Sequence, residues 1–192
     1  MHQPIRKNQI RGQIKSQRLA LASHEIDEAS EVISHKLVTL ERFKASSIIF
    51  LYAAKKEEVQ TKYIFNLAKK MNKQIAFPKV CNKTKTISFY LVDSLDELVT
   101  HTYGRIVLDE PDPSRHLAII PTNETVMIAP GLVFDYNKNR IGYGGGFYDK
   151  YLDKYPVYVI GVCFALQIVE TFESEPFDKP VDLIVSEKEI IY

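Results

Sequence analysis

The chain has little of the chemistry that marks metal, redox or disulfide proteins. It holds two cysteines and five histidines in 192 residues. Neither Cys81 nor Cys163 belongs to a Cys-x-x-Cys pair, and no His-Glu-x-x-His run occurs, which excludes the common zinc frameworks. No Ser/His/Asp or Cys/His constellation is evident either, so covalent nucleophilic catalysis is not indicated. Each cysteine sits in an apolar, strand-like context. Both are expected to be buried structural thiols, in keeping with a reducing compartment. The formal net charge is +1, so no broad field attracts nucleic acid or an anionic membrane surface. No apolar run approaches the length of a membrane span, and the opening MHQPIRKNQIRGQIK is too polar for a signal peptide. The expectation is a soluble, cytoplasmic protein without nucleic-acid or membrane partners. Glycine is scarce as well. Of eight in the chain, four fall at Gly142, Gly144, Gly145 and Gly146.

What the chain does have is ordinary globular content, 45% hydrophobic and 26% charged, in a length suited to one sizeable core. One domain over residues 1–192 is expected. Residues 4–21 read as a helix. Ser23 is a good N-cap for a second helix, whose Ile26, Ala29, Ile33, Leu37 and Leu40 recur at helical spacing. Ser47 to Ala54 reads as a buried strand. The loop KKEEVQT then leads to a helix with Ile64, Leu67, Ala68 and Met71 on one face. Strands follow at Gln74 to Val80 and Thr86 to Val92, then a short helix near Ser94 to Val99 and a turn-rich DEPDPSR. An apolar strand spans Val126 to Phe134. After the glycines come a helix, a strand at Val157 to Cys163, a short helix and a strand at Val181 to Val185. Alternation of strands and helices predicts an α/β fold: one three-layer α/β/α domain, its sheet mostly parallel, with the N-terminal helix pair packed against it.

The glycine cluster carries the chemistry. It fails Gly-x-Gly-x-x-Gly because Phe147 stands where the last glycine belongs, and no Lys-Ser or Lys-Thr follows for a P-loop. Between a strand end and a helix start, however, Gly142-Tyr143-Gly144-Gly145-Gly146 offers successive backbone N–H groups to an anion. Arg140 adds a bidentate partner for phosphate. Asp149 reads either as a first-turn acid that stabilises the helix or as a magnesium ligand beside phosphate. The arginine and the nest next to it favour the metal. Phe147, Tyr151 and Tyr155 share a helical face and suit a core, while Tyr143 and Tyr148 sit at the loop, where a planar ring can stack. In the first helix, Lys7, Arg11, Lys15 and Arg18 fall within roughly 80° of one another. Ile10, Ile14 and Leu21 form a stripe beside them. A solvated face and an anion-facing row are both compatible with that pattern.

RIGYGGGFYDKYL, preceded by APGLVFD, resembles the signature of the 5-formyltetrahydrofolate cyclo-ligase family. Lys7-x-x-x-Arg11, the YGRIVLDEP segment from Tyr103 to Pro111, and Gln167 also match the family's pattern, so the resemblance spans nearly the whole chain. It implies that Lys7, Arg11 and Arg140 contact ATP phosphates and act catalytically. It wraps Ile141, Gly142, Tyr143, Gly144, Gly145, Gly146, Phe147 and Tyr148 around the nucleotide. Tyr143, Gly144, Gly145, Gly146 and Phe147 would also meet the folate, and Glu58 would hold its polar pterin or formyl end. Asp149 and Asp178 would serve magnesium. Two positions depart from the pattern: Gln60 stands where aspartate is usual, and Phe177 where histidine or asparagine precedes the second acid.

The activity so implied is closure of 5-formyltetrahydrofolate to 5,10-methenyltetrahydrofolate, with ATP as co-substrate and Mg2+ as cofactor, in a protein expected to act as a monomer on small molecules. Two other classes remain open on the residues themselves. One is a sugar-phosphate isomerase or coenzyme A transferase-like enzyme on a related scaffold, which would need a proton-abstracting or acyl-accepting carboxylate and no metal. The other is a non-catalytic protein that sequesters folate or nucleotide.

Overall fold

A computed structural model of the chain describes residues 7–104 and 106–192. Residues 4–6 of the expected first helix and Arg105 of the YGR segment lie outside the described residues. Helix α1 (Lys7–Leu19) is followed by α2 (Ser23–Thr39) and α3 (Glu41–Ala45). Strand β1 (Ile48–Phe50) leads to α4 (Thr61–Lys70), β2 (Gln74–Cys81) and β3 (Thr86–Leu91). A hairpin of β4 (Val99–Tyr103) and β5 (Ile106–Glu110) precedes β6 (Ala118–Ile119), β7 (Thr125–Pro130), β8 (Val133–Asp135) and β9 (Arg140–Ile141). Next come α5 (Phe147–Lys154), β10 (Tyr158–Val162), β11 (Ile168–Val169), β12 (Leu183–Val185) and β13 (Ile190–Ile191).

Eight strands form the main sheet in the order β13-β12-β10-β7-β1-β2-β3-β6. The five from β12 to β2 are parallel, and β13, β3 and β6 add antiparallel edges. Side chains alternate across this sheet with the period of two that a strand imposes. Ile49, Leu51, Val126, Ile128, Ile160 and Val162 join the core shared with α2, α3 and α4. Ile48, Phe50, Met127, Ala129 and Val159 join the one shared with Tyr151 of α5. The expected three-layer α/β arrangement with a mostly parallel sheet is therefore present. Both N-terminal helices pack against sheet, each on its own surface: α2 lies beside α4 on the large sheet, and α1 rests on β8 and the turn 165–167.

The apolar run Val126 to Phe134 is not one strand. It breaks at Gly131 into β7 and β8, and β8 enters a second sheet, β11-β8-β9. Phe134 makes the break necessary. Its fully buried ring lies so close to two glycines that a Cβ at Gly131 would come within 2.4 Å of it and one at Gly161 within 2.5 Å. Contacts that short exclude any larger residue. Asp135 then turns the β8–β9 hairpin. Its carboxylate accepts the Asn139 backbone N–H at 2.8 Å and the Asn139 amide at 3.0 Å, with Lys138 in the left-handed region at φ 65°. The hairpin carries Arg140 and the glycines away from the large sheet toward α1. Ile10 and Ile14 of α1 pack there on Leu132, Val133, Ile141 and Phe172 in a small core of their own, whereas Leu21 joins the main core.

Several expectations are corrected. Helix α2 begins at Ser23 itself, and the capping position is Ala22, whose N–H donates to Glu25 Oε2 at 2.8 Å. The strand expected from Ser47 to Ala54 keeps strand geometry only over Ile48–Phe50. Met71 falls past the end of α4 and is exposed, and Phe65 fills the helix's buried face. Cys163 is buried, but Cys81 ends β2 on the surface and is exposed. The β4–β5 hairpin was not anticipated. It is held by Glu110, a buried carboxylate that accepts Lys79 Nζ at 2.8 Å, the Tyr103 hydroxyl at 2.7 Å and the Val80 N–H at 2.8 Å.

Candidate active site

The site begins at β9. Arg140 is almost wholly buried, its Nη2 donates to Asp149 Oδ1 at 3.0 Å, and its guanidinium lies 5.4 Å from the centre of the Tyr148 ring. Its Nε–H is buried without an acceptor among the described residues. Stranding a buried donor costs about 1–3 kcal/mol, so the group is set up to receive one from a ligand. The loop beyond it reverses hand twice: Gly144 at φ 91° and Gly146 at φ 65° are left-handed, and Gly146 caps α5. Alternation of hand along a glycine-rich loop is the backbone pattern from which an anion nest is built. Ile141 sends its side chain into the small core under α1, so only its backbone can face a ligand. Phe147 is half-buried against the large core, with Lys85 Nζ 5.6 Å from its ring centre.

Helix α1 brings its basic row to this loop and divides it. Arg11 Nε donates to the Gly142 carbonyl at 3.2 Å. Lys7 Nζ donates to Glu175 Oε2 at 2.9 Å and to Asp178 Oδ2. Burial works against the Lys7 charge, yet the bonds to Asp178 and Glu175 outweigh it and raise the ammonium pKa above its ordinary value. Lys15 is exposed. Arg18 points inward and is only 1% exposed. The row is thus neither one solvated face nor one anion-facing line.

A second cluster closes over the loop from the 55–58 turn. Glu58 is buried, its Oε2 accepts the Lys55 N–H at 3.0 Å, and its Oε1 accepts the Tyr143 hydroxyl at 3.0 Å. Arg18 Nη2 donates to the same Tyr143 oxygen and lies 3.6 Å from Glu57 and 3.9 Å from Glu58. Lys55 Nζ stands 4.2 Å from the Tyr143 ring centre. Burial, with the Glu58 charge next, pushes the Tyr143 phenol well above its ordinary pKa, and burial does the same at Tyr148. Both stay neutral hydroxyls under ordinary conditions. Sequence reasoning placed Glu58 and Tyr143 at the site but gave Arg18, Lys55 and Glu57 no individual part. Position 18 lies about three helical turns from position 7, and that was the only signal for it.

Each of the two acids expected at the metal has its own protein partners. Asp149 Oδ1 accepts the N–H of Lys179, the residue after Asp178, at 3.2 Å. Asp178 Oδ2 takes Lys7 and the Glu175 N–H at 2.6 Å. These bonds fall on one oxygen of each acid, so Asp149 Oδ2 and Asp178 Oδ1 have no protein partner among the described residues. No group of three or more His, Cys, Asp or Glu is preassembled among the described residues. Magnesium at a phosphate site uses one or two carboxylates plus phosphate oxygens and water, and this donor set fits that pattern. Gln167 is structural: its buried amide donates to the carbonyls of Gly131 and Leu132 at 2.9 and 3.1 Å. Phe177 is 65% exposed and contributes no donor. Cavities of about 600 Å3 along α2 and about 280 Å3 between β3, β6 and α5 are not lined by any residue of 140–146.

Comparison with known proteins identifies the family. The model of the 5-formyltetrahydrofolate cyclo-ligase family matches residues 4–187. A probable 5-formyltetrahydrofolate cyclo-ligase of Schizosaccharomyces pombe is 28% identical over 202 residues, covering 97% of this chain and 98% of that one. The NMR structure of Aquifex aeolicus 5,10-methenyltetrahydrofolate synthetase has a TM-score of 0.82 at 30% identity, over 96% of this chain and 91% of that one. The Mycoplasma pneumoniae synthetase structure shares the fold, with a TM-score of 0.74 at 24% identity over 95% of this chain and 99% of that one. The glycine loop, its arginine and its acids lie within a match that runs almost end to end, and the chain belongs to the 5-formyltetrahydrofolate cyclo-ligase family.

Proposed function

We propose that this protein uses ATP and magnesium to cyclise 5-formyltetrahydrofolate to 5,10-methenyltetrahydrofolate, releasing ADP and phosphate, as a cytoplasmic monomer acting through one domain. The observation that carries the reading is the meeting of two distant segments. Arg11 of α1 bonds Gly142, inside the Arg140–Asp149 unit, and Lys7 reaches Asp178, the acid next to Lys179. Those are the groups that a triphosphate needs, gathered at one loop.

The formyl oxygen on N5 is a poor leaving group. In the proposed reaction it attacks the γ-phosphorus of ATP, and the bond from that phosphorus to the ADP oxygen breaks. N10 then adds to the formyl carbon, loses its proton to solvent, and the carbon–oxygen bond breaks to release phosphate. Lys7, Arg11 and Arg140 would hold and neutralise the phosphates, and the nest would receive the transferring group, so catalysis is positioning and charge stabilisation. Asp149 and Asp178 would hold magnesium, which would supply charge neutralisation to the phosphates. Glu58 would take the polar pterin or formyl end, its Oε1 exchanging the Tyr143 hydroxyl for substrate. Tyr143, Gly144, Gly145, Gly146 and Phe147 would border both ligands.

The test is formation of the methenyl chromophore from 5-formyltetrahydrofolate, with and without Mg-ATP. Product that requires both supports the proposal. Folate binding without ATP consumption would indicate sequestration, and product without ATP would rule the mechanism out.

A further inference from the structure

Arg18 is the one member of the α1 basic row that turns inward. Its side chain is buried, with Nη1 3.4 Å from the Gly131 carbonyl and Nη2 bonded to the Tyr143 hydroxyl. Its Nε–H is buried with no acceptor among the described residues. An arginine keeps its charge wherever it is placed, so a buried guanidinium must find both compensation and acceptors. Compensation is already present, because Glu57 and Glu58 stand 3.6 and 3.9 Å from Nη2. The missing element is an acceptor for Nε.

We propose that Arg18 is a substrate-contacting residue of the folate subsite, its Nε donating to an uncharged carbonyl-type oxygen at the pterin–formyl end. The charge pattern selects that class of acceptor over phosphate. Two carboxylates face Arg18, and a phosphate there would be repelled by both. Arg140, which pairs with Asp149, and Arg11, which bonds the Gly142 carbonyl, are the arginines proposed above for the phosphates. Glu58 and Arg18 therefore form a donor–acceptor pair: a carboxylate for the N–H groups of a pterin ring, and a guanidinium N–H for one of its oxygens. The Tyr143 hydroxyl bridges the two. This inference rests on the proposed function, since it takes 5-formyltetrahydrofolate as the ligand.

The experiment compares wild type with Arg18→Lys, which keeps the charge beside Glu57 and Glu58 but has no Nε–H fork. Equilibrium binding of 5-formyltetrahydrofolate without ATP is measured alongside the KM for each substrate. The expected result is a tenfold or greater loss of folate affinity and a matching rise in the folate KM, with the ATP KM within twofold of wild type. A parallel rise in the ATP KM, or an unchanged folate affinity, overturns the assignment. As a measurement that needs no variant, the Arg18 Nε–H resonance of 15N-labelled wild type is followed on addition of 5-formyltetrahydrofolate alone. A downfield shift at saturation supports the contact, and an unmoved resonance at saturation excludes it. A wild type that turns over 5-formyltetrahydrofolate while Arg18→Lys behaves identically would defeat this inference alone. A wild type that binds no folate would defeat the proposed function with it.

Discussion

Asp149 pairs with Arg140 and is the proposed metal ligand, and one substitution can separate the two. In the structure it neutralises Arg140, whose side chain is 4% exposed, and it accepts the Lys179 N–H. Removing one partner of a buried pair costs about 3–5 kcal/mol because the other charge is left stranded. Asp149 is itself 22% exposed, so water screens part of that loss, and about 2–3 kcal/mol is the reasonable figure. At roughly 2–4 °C per kcal/mol for a chain of this size, Asp149→Ala should melt about 5–10 °C below wild type. A domain stable by about 5–15 kcal/mol remains folded at 25 °C after such a loss, so turnover there reports on the site. Asp149→Asn is the separating variant. It can still accept the Lys179 N–H, and so should recover part of the melting temperature, but it carries no charge for a metal. Both variants should be inactive at 25 °C with Mg-ATP. Far-UV circular dichroism melts and the methenyl assay read the two effects independently. An alanine variant melting within about 1 °C of wild type would refute the stability argument, and an active asparagine variant would refute the metal role.

Three further outcomes are expected. Tyr143→Phe keeps the ring but removes the hydroxyl that occupies Glu58 Oε1; a hydrogen bond to a charged group contributes about 1.5–3 kcal/mol, so the folate KM should fall by roughly tenfold, and a rise would show that the hydroxyl serves the substrate instead. Lys7 has a pKa raised above its ordinary 10.5 by Asp178 and Glu175, against the opposing effect of burial. A group raised on folding contributes stability that is fully present below 10.5 and lost as pH climbs through its folded-state value. The urea-midpoint gap between wild type and Lys7→Met should therefore hold steady up to about pH 10 and narrow above it; narrowing near neutrality would contradict the ion-pair account. In native protein a maleimide should label Cys81, which is exposed and whose thiol pKa is lowered by hydrogen bonding from Thr84, and spare the buried Cys163. Mass spectrometry of peptides reads the result, and equal labelling would mean that β10 opens readily.

The parts of the fold set by local periodicity were legible, and those set by distant partners were not. The alternation through β1, β7 and β10 and the helical faces of α2 and α4 follow from residues close in sequence. The Gly131 break was hidden because both sides of it are buried, so the apolar run from Val126 to Phe134 reads without interruption. Its cause is the Phe134 ring lodged against Gly161, about thirty residues away in sequence and visible only in three dimensions. The β4–β5 hairpin escaped for the opposite reason. Among its described residues Val99 and Val107 are exposed, so they announce no buried face, and its anchor is the carboxylate of Glu110. At the site, Arg140, the glycines and Asp149 adjoin in sequence and could be read as a unit. The inward turn of Arg18 could not, because a helix's own residues do not say which neighbour will cover them.

The same distinction bears on how the two ends of the chain meet at the proposed site. Among the described residues, Ile10 and Ile14 are the apolar side chains that anchor α1 to its small core. Burying two such side chains stabilises docking by about 3–6 kcal/mol, part of which is offset by the entropy of ordering the helix. Polar bonds add to that anchor, and they reach the proposed site: Arg11 on Gly142, Lys7 on Glu175 and Asp178, Arg18 on Tyr143. The opposing surface is just as dependent, since Phe172 of the small core has its N–H on Asp135, the carboxylate that turns the β8–β9 hairpin, at 3.4 Å. Weakening any one of α1, the hairpin or the 170–182 segment loosens the other two. A ligand whose phosphates bridge Lys7, Arg11 and Arg140 would add its binding energy to this modest contact, so substrate and fold should stabilise each other here more than anywhere else in the molecule.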